Sequence, residues 1–208
     1  MKTHPIFSSA AFVNKRMKDL FVAQAEKPEE LAEVNLTRLT PRQRALLVTD
    51  GTVTRFIEAY TFSPVEVVLL HREKRTLPTE HGWLELPAGG QVIARQVVLQ
   101  TPPKDNETPT IHTYAVSLIV PQRLPKLILD GLEVEGKGLG MLLASSGLET
   151  RRDLLWWGVE RAIGLPDAIN HLEGKPLLSR TYRIIANKQP IMLINEKFPF
   201  DESANLSK

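Results

Sequence analysis

In the first part of the chain, apolar residues lie between residues that are typical of helix starts and helix ends. In "LTPRQRALLVTDG", Thr40 suits the N-cap, Pro41 the first helical position and Gly51 the stop, with apolar contacts from residues 46–48. The stretch "TVTRFIEAY" predicts a second short helix directly afterwards. The pattern therefore predicts two helices in front of the first strand.

After these helices the pattern favours strands. "PVEVVLLHREKRT", "QVIARQVVLQ" and "IHTYAVSLIV" are rich in β-branched and aliphatic residues, and the turn cluster "TPPKDNETPT" joins the last two as a hairpin. "PQRLPKLILDGL" predicts a short helix, and "EVEGKGLGMLLASSGLETRRDLLWWG" predicts a glycine-rich start followed by an apolar helix. "SRTYRIIANKQPIMLINEKFP" predicts two closing strands around a turn that the Asn and Pro of "ANKQP" mark.

Strands outnumber long helices and are joined largely by hairpins. This arrangement predicts an α+β fold with one antiparallel sheet covered by helices. We expect residues 37–200 to form a single domain, residues 1–36 an N-terminal extension and residues 201–208 a polar tail.

Two charged residues lie on strand faces that are otherwise apolar. Because side chains alternate along a strand, Arg95 and Glu196 point the same way as apolar neighbours, while Lys197 takes the opposite, solvent side. The neighbours are Ile93, Val97 and Leu99 for Arg95, and Met192, Ile194 and Phe198 for Glu196.

A buried charge needs a partner, and two arrangements supply one. Arg95 and Glu196 pair with each other or one of them reaches an edge, or else both line a cavity and meet a ligand. In the second case the planar fork of Arg95 suits a carboxylate, and Glu196 in an apolar pocket could retain and donate a proton. Other arginines are candidate helpers, although most are expected to be solvated or paired: Arg151, Arg152, Arg180 and Arg183.

Composition excludes several classes of protein. The net charge of +2, from 26 basic and 24 acidic residues, is too balanced to indicate nucleic-acid binding. The chain contains no cysteine, which excludes disulfides and thiolate sites and fits a reducing compartment, the cytoplasm. We expect no membrane span and no signal peptide, because no apolar run is long enough and Lys15, Arg16, Lys18 and Asp19 interrupt the N-terminal stretch. An organelle transit peptide is the alternative for this stretch.

Sequence signals for metals and nucleotides are also missing. None of the five histidines lies three or four residues from another, and no HExxH, GxSxG, Walker loop or GxGxxG occurs. The glycines of "GKGLG", residues 136–140, form either a flexible turn or a backbone contact to a small anion. We expect no metal and no organic cofactor.

Taken together, the motifs resemble the chorismate pyruvate-lyases, especially the divergent branch of actinobacteria and cyanobacteria. The resemblance runs from about Leu39 to Pro199. It rests on the order and spacing of "DGTVTRFIEAY", "GQVIARQVVL", "GLGMLLASSGLETRRDLLWWG" and "YRIIANKQPIMLINEKFP".

The resemblance implies an antiparallel sheet with helices on one side and a small-ligand cavity closed by flaps. It implies conversion of chorismate to 4-hydroxybenzoate and pyruvate, and a product that could feed a quinone ring, as in ubiquinone or plastoquinone, or another phenolic metabolite. Arg95 would hold the ring carboxylate, and Glu196 would lie near the 4-position of the ring, where the product hydroxyl remains. Backbone groups near Val53 and Leu139 would complete the anion site. The family is often monomeric, and a dimer is the alternative.

Two points in the resemblance stay open. In the better-known branch the glutamate lies one residue further from the closing proline, so an ungapped match selects Asn195, whereas strand parity selects Glu196. Certain transcription regulators carry a ligand-binding domain of this fold without lyase chemistry, so a non-catalytic sensor of aromatic acids is the alternative function. The absence of a helix-turn-helix or basic stripe from the sequence argues against a regulator.

Overall fold

An antiparallel sheet of six strands is the centre of the structure, a computed structural model that describes residues 10–103, 108–134 and 138–200. Its order is β1-β2-β3-β6-β5-β4, with every neighbouring pair antiparallel. The predicted fold class is confirmed. The strands are β1 Glu66–Thr76, β2 Gln91–Thr101, β3 Thr110–Ile119, β4 Arg151–Arg161, β5 Pro176–Ala186 and β6 Gln189–Pro199.

The α-helices that follow α1 pack on one side of this sheet. Helices α2 and α3 join a core cluster with Val97 and Phe198, while α4 and α5 join a second cluster with Ile93 and Ile194. None of the helices in the described part of the chain is long and apolar enough to cross a membrane. The helices are α1 Ala10–Lys18, α2 Pro41–Val48, α3 Val53–Thr61, α4 Lys126–Glu133 and α5 Leu139–Ser145.

Helix α2 begins as predicted but ends earlier. The Thr40 hydroxyl accepts from the Gln43 backbone N–H, and the Gln43 side chain accepts from the Thr40 N–H, which forms a complete capping box. The helix ends at Val48, and Thr49 rather than Gly51 closes it through its N–H and hydroxyl, both bonded to the Ala45 carbonyl. The stop predicted at Gly51 was wrong, because Thr49, two residues earlier, already provides the hydrogen bonds that end the helix.

The helix predicted in "EVEGKGLGMLLASSGLETRRDLLWWG" is correct only for its first part, and the last part of this segment is strand β4. The helix of this segment ends at Ser145, Gly147 follows with a φ of +68°, and a strand begins at Arg151. Within the apolar run 154–157, residues 155–157 are buried on both faces of the sheet, with Leu155 fully buried and Trp157 nearly so. Such a run has no polar alternation, so its period cannot distinguish a buried strand from a helix.

The closing hairpin was predicted correctly, but its turn is shorter than "ANKQP". Asn187 and Lys188 alone form the turn, with φ values of +49° and +64°, and Pro190 already belongs to β6. Two residues with positive φ match the twist of the flanking strands. Residues 104–107 of the predicted β2–β3 turn, residues 136–137 of "GKGLG" and the predicted tail lie outside the described residues.

The residues before position 37 contribute to the core and to the sheet edge. Phe21, Leu31 and Leu36 are buried. The backbone N–H groups of residues 22 and 23 donate to β4 carbonyls, and the Gln24 side chain bonds both the N–H and the C=O of Trp157, at 3.0 and 2.9 Å. Residues 22–32 therefore cover the outer edge of β4. The domain boundary after residue 36 stays a prediction.

Candidate functional site

A cavity of about 70 Å³ lies between the helix-covered face of the sheet and the starts of α3 and α5. Its floor comes from residues of all six strands, and its cover from the loop before α3 and the beginning of α5. All four residues predicted for the site, Arg95, Glu196, Val53 and Leu139, line this one cavity. Their roles there stay predictions.

Arg95 lies in the middle of β2 and is only 5% exposed. It is opposite Arg72 of β1 and Ser117 of β3, and its face also carries Val97 and Leu99. Burial, together with the charge of Arg72, lowers the pKa of Arg95 to about 10, so the guanidinium remains charged near neutral pH. An anion in the cavity would offset the cost of burying this cation.

Glu196 is buried and forms an ion pair with Arg180 on the neighbouring strand β5. The Nε and Nη2 atoms of Arg180 both lie 2.8 Å from Oε2 of Glu196. The Tyr182 hydroxyl donates to the other carboxylate oxygen at 3.1 Å. Arg180 is one of the four arginines named as candidate helpers, so the partner that the buried charge of Glu196 requires comes from within the sheet.

Arg180 also connects the carboxylate to helix α2. Its side chain is fully buried, and Nη1 donates to the carbonyls of Leu47 and Thr49 at 3.0 and 2.9 Å. These carbonyls belong to the last turn of α2, whose acceptors otherwise lack helical partners. The guanidinium thus fixes the loop that leads to Val53 and the cavity.

Tyr182 is a further residue of the cavity that the sequence reasoning did not identify. Burial raises the pKa of its hydroxyl, and the neighbouring Glu196 carboxylate raises it further. The phenol therefore stays a neutral donor to Glu196. The available signal was its place two residues after Arg180 on an apolar strand, which puts both side chains on one face.

Asn195 lies on the opposite face of the sheet from Glu196. Its side-chain amide donates to the hydroxyls of Ser179 and Thr181, at 2.8 and 3.0 Å. Glu196, rather than Asn195, faces the cavity.

The starts of α3 and α5 approach each other closely above the cavity. A Cβ atom on Gly140 would lie 3.0 Å from the Thr52 methyl group, so the absent side chain permits this contact. Val53 opens α3 and Leu139 opens α5. The N–H groups in the first turn of a helix have no helical acceptor and favour negative charge. Among the described residues, no cluster of three or more His, Asp or Glu side chains could hold a metal ion.

Comparison with protein families gives a match over most of the chain. A family model described as "Chorismate pyruvate-lyase Rv2949c-like" matches residues 47–206. The chorismate pyruvate-lyase of Mycobacterium leprae is 27% identical over 169 residues, covering 81% of this chain and 79% of that protein. The chorismate pyruvate-lyase of Mycobacterium tuberculosis strain H37Rv is 27% identical over 177 residues, covering 81% and 84% respectively.

Solved structures with this fold include the ligand-binding domain of a "putative GntR-family transcriptional regulator" from Bordetella bronchiseptica, with a TM-score of 0.51 at 20% identity, covering 67% of this chain and 85% of that chain. The effector domain of PhnF from Mycobacterium smegmatis matches with a TM-score of 0.55 at 15% identity, covering 73% of this chain and 90% of that domain. A longer PhnF structure from the same organism gives a TM-score of 0.52 at 18% identity, covering 74% and 66%. At these identities the likeness concerns the fold alone.

Proposed function

The chain belongs to the Rv2949c-like chorismate pyruvate-lyase family, and from that premise we propose that it converts chorismate into 4-hydroxybenzoate and pyruvate. One observation carries the proposal. The cavity contains a buried cation, Arg95, and a buried carboxylate, Glu196, on the same face of the sheet and two strands apart. We assign the reaction to the cytoplasm, in line with the cysteine-free sequence.

The proposed reaction is an elimination that makes the ring aromatic. The ether bond between ring carbon 3 and the enolpyruvyl oxygen breaks, and the hydrogen on carbon 4 is lost. One hydrogen is gained by the enolpyruvyl methylene, which yields pyruvate. Because aromatisation drives the reaction, the protein needs no covalent intermediate and contributes through positioning and electrostatics.

Arg95 is assigned to the ring carboxylate. Its guanidinium can donate two parallel hydrogen bonds to a carboxylate, and in a buried site such charge-assisted bonds are strong. Backbone N–H groups at Val53 and Leu139, where α3 and α5 begin, complete the anion site in this proposal. The lowered pKa of Arg95 supports the assignment, because an anionic ligand would relieve the penalty of burial.

Glu196 is assigned to the ring hydroxyl on carbon 4. Strands are about 4.8 Å apart, so Arg95 and Glu196 arise from backbone positions separated by roughly 10 Å across the sheet. Such a separation suits groups at opposite ends of a six-membered ring. The ion pair with Arg180 and the bond from Tyr182 argue for a carboxylate that accepts a hydrogen bond, rather than the general acid considered from sequence.

A non-catalytic sensor of aromatic acids is the second candidate. The observation that favours it is the fold shared with the PhnF effector domain. In such a sensor the Arg95 site would hold the same ring carboxylate, but chorismate would remain intact.

Incubation with chorismate separates the two candidates. A lyase releases 4-hydroxybenzoate and pyruvate in equal amounts, which chromatography and a coupled pyruvate assay measure independently. Arg95→Gln serves as the matched negative control, since it removes the charge and keeps a polar side chain. Absence of both products, with an intact circular dichroism spectrum and micromolar binding of 4-hydroxybenzoate, would reject the lyase in favour of the sensor.

A further inference from the structure

A second, outer cavity of about 360 Å³ adjoins the first one. The two cavities share a set of lining residues, so the outer one offers space beside the inner one. The shared residues are Gly51, Thr52, Gly140, Leu143 and Arg152. Of these five, only Arg152 carries a charge.

Arg152 is a largely buried cation whose positive charge is only weakly balanced by a nearby carboxylate. Its side chain is 14% exposed, and Nη1 donates to the Asp50 carbonyl at 3.1 Å. The nearest carboxylate oxygen of Asp50 is 3.6 Å away, on a side chain that is 78% exposed and therefore well solvated. The buried Nε of Arg152 has no hydrogen-bond partner among the residues that the structure describes. A donor of this kind is aimed at a ligand or costs stability.

Arg152 and Arg95 occupy opposite ends of the site. Arg95 is on β2 and Arg152 on β4, four strand intervals apart in the sheet order, or roughly 19 Å between backbones. The charges that act on the pKa values of Tyr182 and Arg95 agree with these positions. Burial and Glu196 raise the pKa of Tyr182, and the charges of Arg180 and Arg152 oppose that rise, whereas the charge that acts on Arg95 is that of Arg72. Arg152 thus belongs to the end of the site where Glu196 and Tyr182 lie.

We propose that Arg152 binds the second carboxylate of the substrate, the one on the enolpyruvyl group, and makes the site selective for a dicarboxylate. This inference rests on the proposed function. With Arg95 on the ring carboxylate and Glu196 near carbon 4, the ether on carbon 3 points away from Arg95. The enolpyruvyl group then extends along Arg152 into the outer cavity, where the cation also stabilises charge that develops on the departing enolpyruvate.

Arg152→Gln tests the proposal, with Arg151→Gln as the matched control. Arg151 is the preceding residue on β4, is 71% exposed and pairs with Asp153 outside both cavities. The KM for chorismate is expected to rise about tenfold or more in Arg152→Gln, as for loss of one charge-assisted contact. The Kd for 4-hydroxybenzoate, which lacks the second carboxylate, is expected to stay within about twofold, and Arg151→Gln to change neither constant.

Two results would overturn the inference. An equal loss of chorismate and 4-hydroxybenzoate binding in Arg152→Gln would make Arg152 a structural residue or a ligand of the ring carboxylate. An unchanged KM for chorismate in Arg152→Gln would show that Arg152 does not bind the substrate. If Arg152→Gln fails to fold, Arg152→Lys replaces it, because lysine keeps the positive charge but lacks the planar fork of the guanidinium. The KM for chorismate is then expected to rise about threefold, while the Kd for 4-hydroxybenzoate stays unchanged.

Failure of the proposed function gives a different pattern. A wild-type protein that forms no product from chorismate rejects the lyase, whatever the variants do. Calorimetric titration of chorismate and 4-hydroxybenzoate into the inactive protein would still compare the two ligands. Selective loss of chorismate binding in Arg152→Gln would support the second carboxylate site even then.

Discussion

Arg180 and Glu196 face each other across β5 and β6, and their buried ion pair connects the cavity to the end of helix α2. The same guanidinium that holds the carboxylate also binds the carbonyls of Leu47 and Thr49. One side chain therefore sets the orientation of Glu196 and the course of the loop that covers the cavity. Loss of Arg180 should disturb both.

Arg180→Met is expected to lower the free energy of unfolding by about 3–5 kcal/mol, because it leaves a buried carboxylate without its counter-charge. Urea denaturation followed by circular dichroism measures the change. Lys126→Met is the control, since Lys126 and Asp130 form an exposed pair and their loss should cost about 0.5 kcal/mol or less. In the double variant Arg180→Met with Glu196→Gln, both charges are removed, and a cost equal to the sum of the single variants would contradict direct coupling.

Arg95→Ala is expected to lower kcat/KM for chorismate by a factor of roughly 30 to 700, which corresponds to about 2–4 kcal/mol for a buried charge-assisted contact. Steady-state assays measure the loss. Gln96→Ala is the control on the same strand, because residue 96 points to the other face of the sheet. Near-normal activity of Arg95→Ala would show that the ring carboxylate binds elsewhere.

Glu196→Gln is expected to reduce kcat by about tenfold or more while the KM changes little, because the amide no longer provides a carboxylate acceptor beside the ring hydroxyl. Its matched partner is Asn195→Ala, which removes contacts to Ser179 and Thr181 on the opposite face. Turnover of Asn195→Ala should therefore stay near normal. Equal losses of kcat in the two variants would support Asn195, the residue that the ungapped match selects.

The pH dependence of kcat/KM is expected to follow the charge of Arg95. Its pKa of about 10 predicts a plateau from neutral pH and a decline as the pH rises through about 10. The pKa in the folded protein lies below the ordinary value for arginine, so the cost of burying this charge is present below pH 10 and fades above it. Deprotonation of Arg95 itself therefore does not unfold the protein. Stopped assays at each pH, with circular dichroism of the same samples, measure both quantities, and a decline that begins below pH 9 would point to another group.

Gly158→Ala is expected to destabilise the protein by about 1–3 kcal/mol through overpacking. The added Cβ would lie 2.9 Å from the Leu31 Cβ and 3.0 Å from the Ala32 carbonyl oxygen, so residues 22–32 would have to shift away from β4. Thermal unfolding and limited proteolysis of this segment measure the effect. Gly82→Ala is the control, since its Cβ would meet no atom within 4 Å, and equal behaviour of the two variants would contradict tight packing of the segment.

The sequence predicted the parts of the site in which a charge interrupts an apolar alternation. Arg95 and Glu196 are such residues, and strand parity alone placed both on an inward face. The partner of Glu196 could not be assigned in this way, because the contact between Arg180 and Glu196 depends on the register of two strands. Strand β4 was missed for the opposite reason: its central run is apolar on both faces and carries no period.

The N-terminal segment was harder still to predict, because the Gln24 side chain makes the backbone hydrogen bonds that a neighbouring strand would make. An amide that bonds both backbone groups of Trp157 leaves no pattern in the sequence. Likewise, strand parity places Tyr182 on the same face as Arg180, but its hydrogen bond to Glu196 depends on how β5 and β6 pair.

The covered edge of β4 has a consequence for how the chain can be shortened. A fragment reduced to residues 47–206, the span of the family match, would contain all six strands but lack the segment that satisfies the outer backbone groups of β4. Those groups would become a template on which the strand of another copy could add. In the full chain, residues 22–32 occupy this edge and block such an addition.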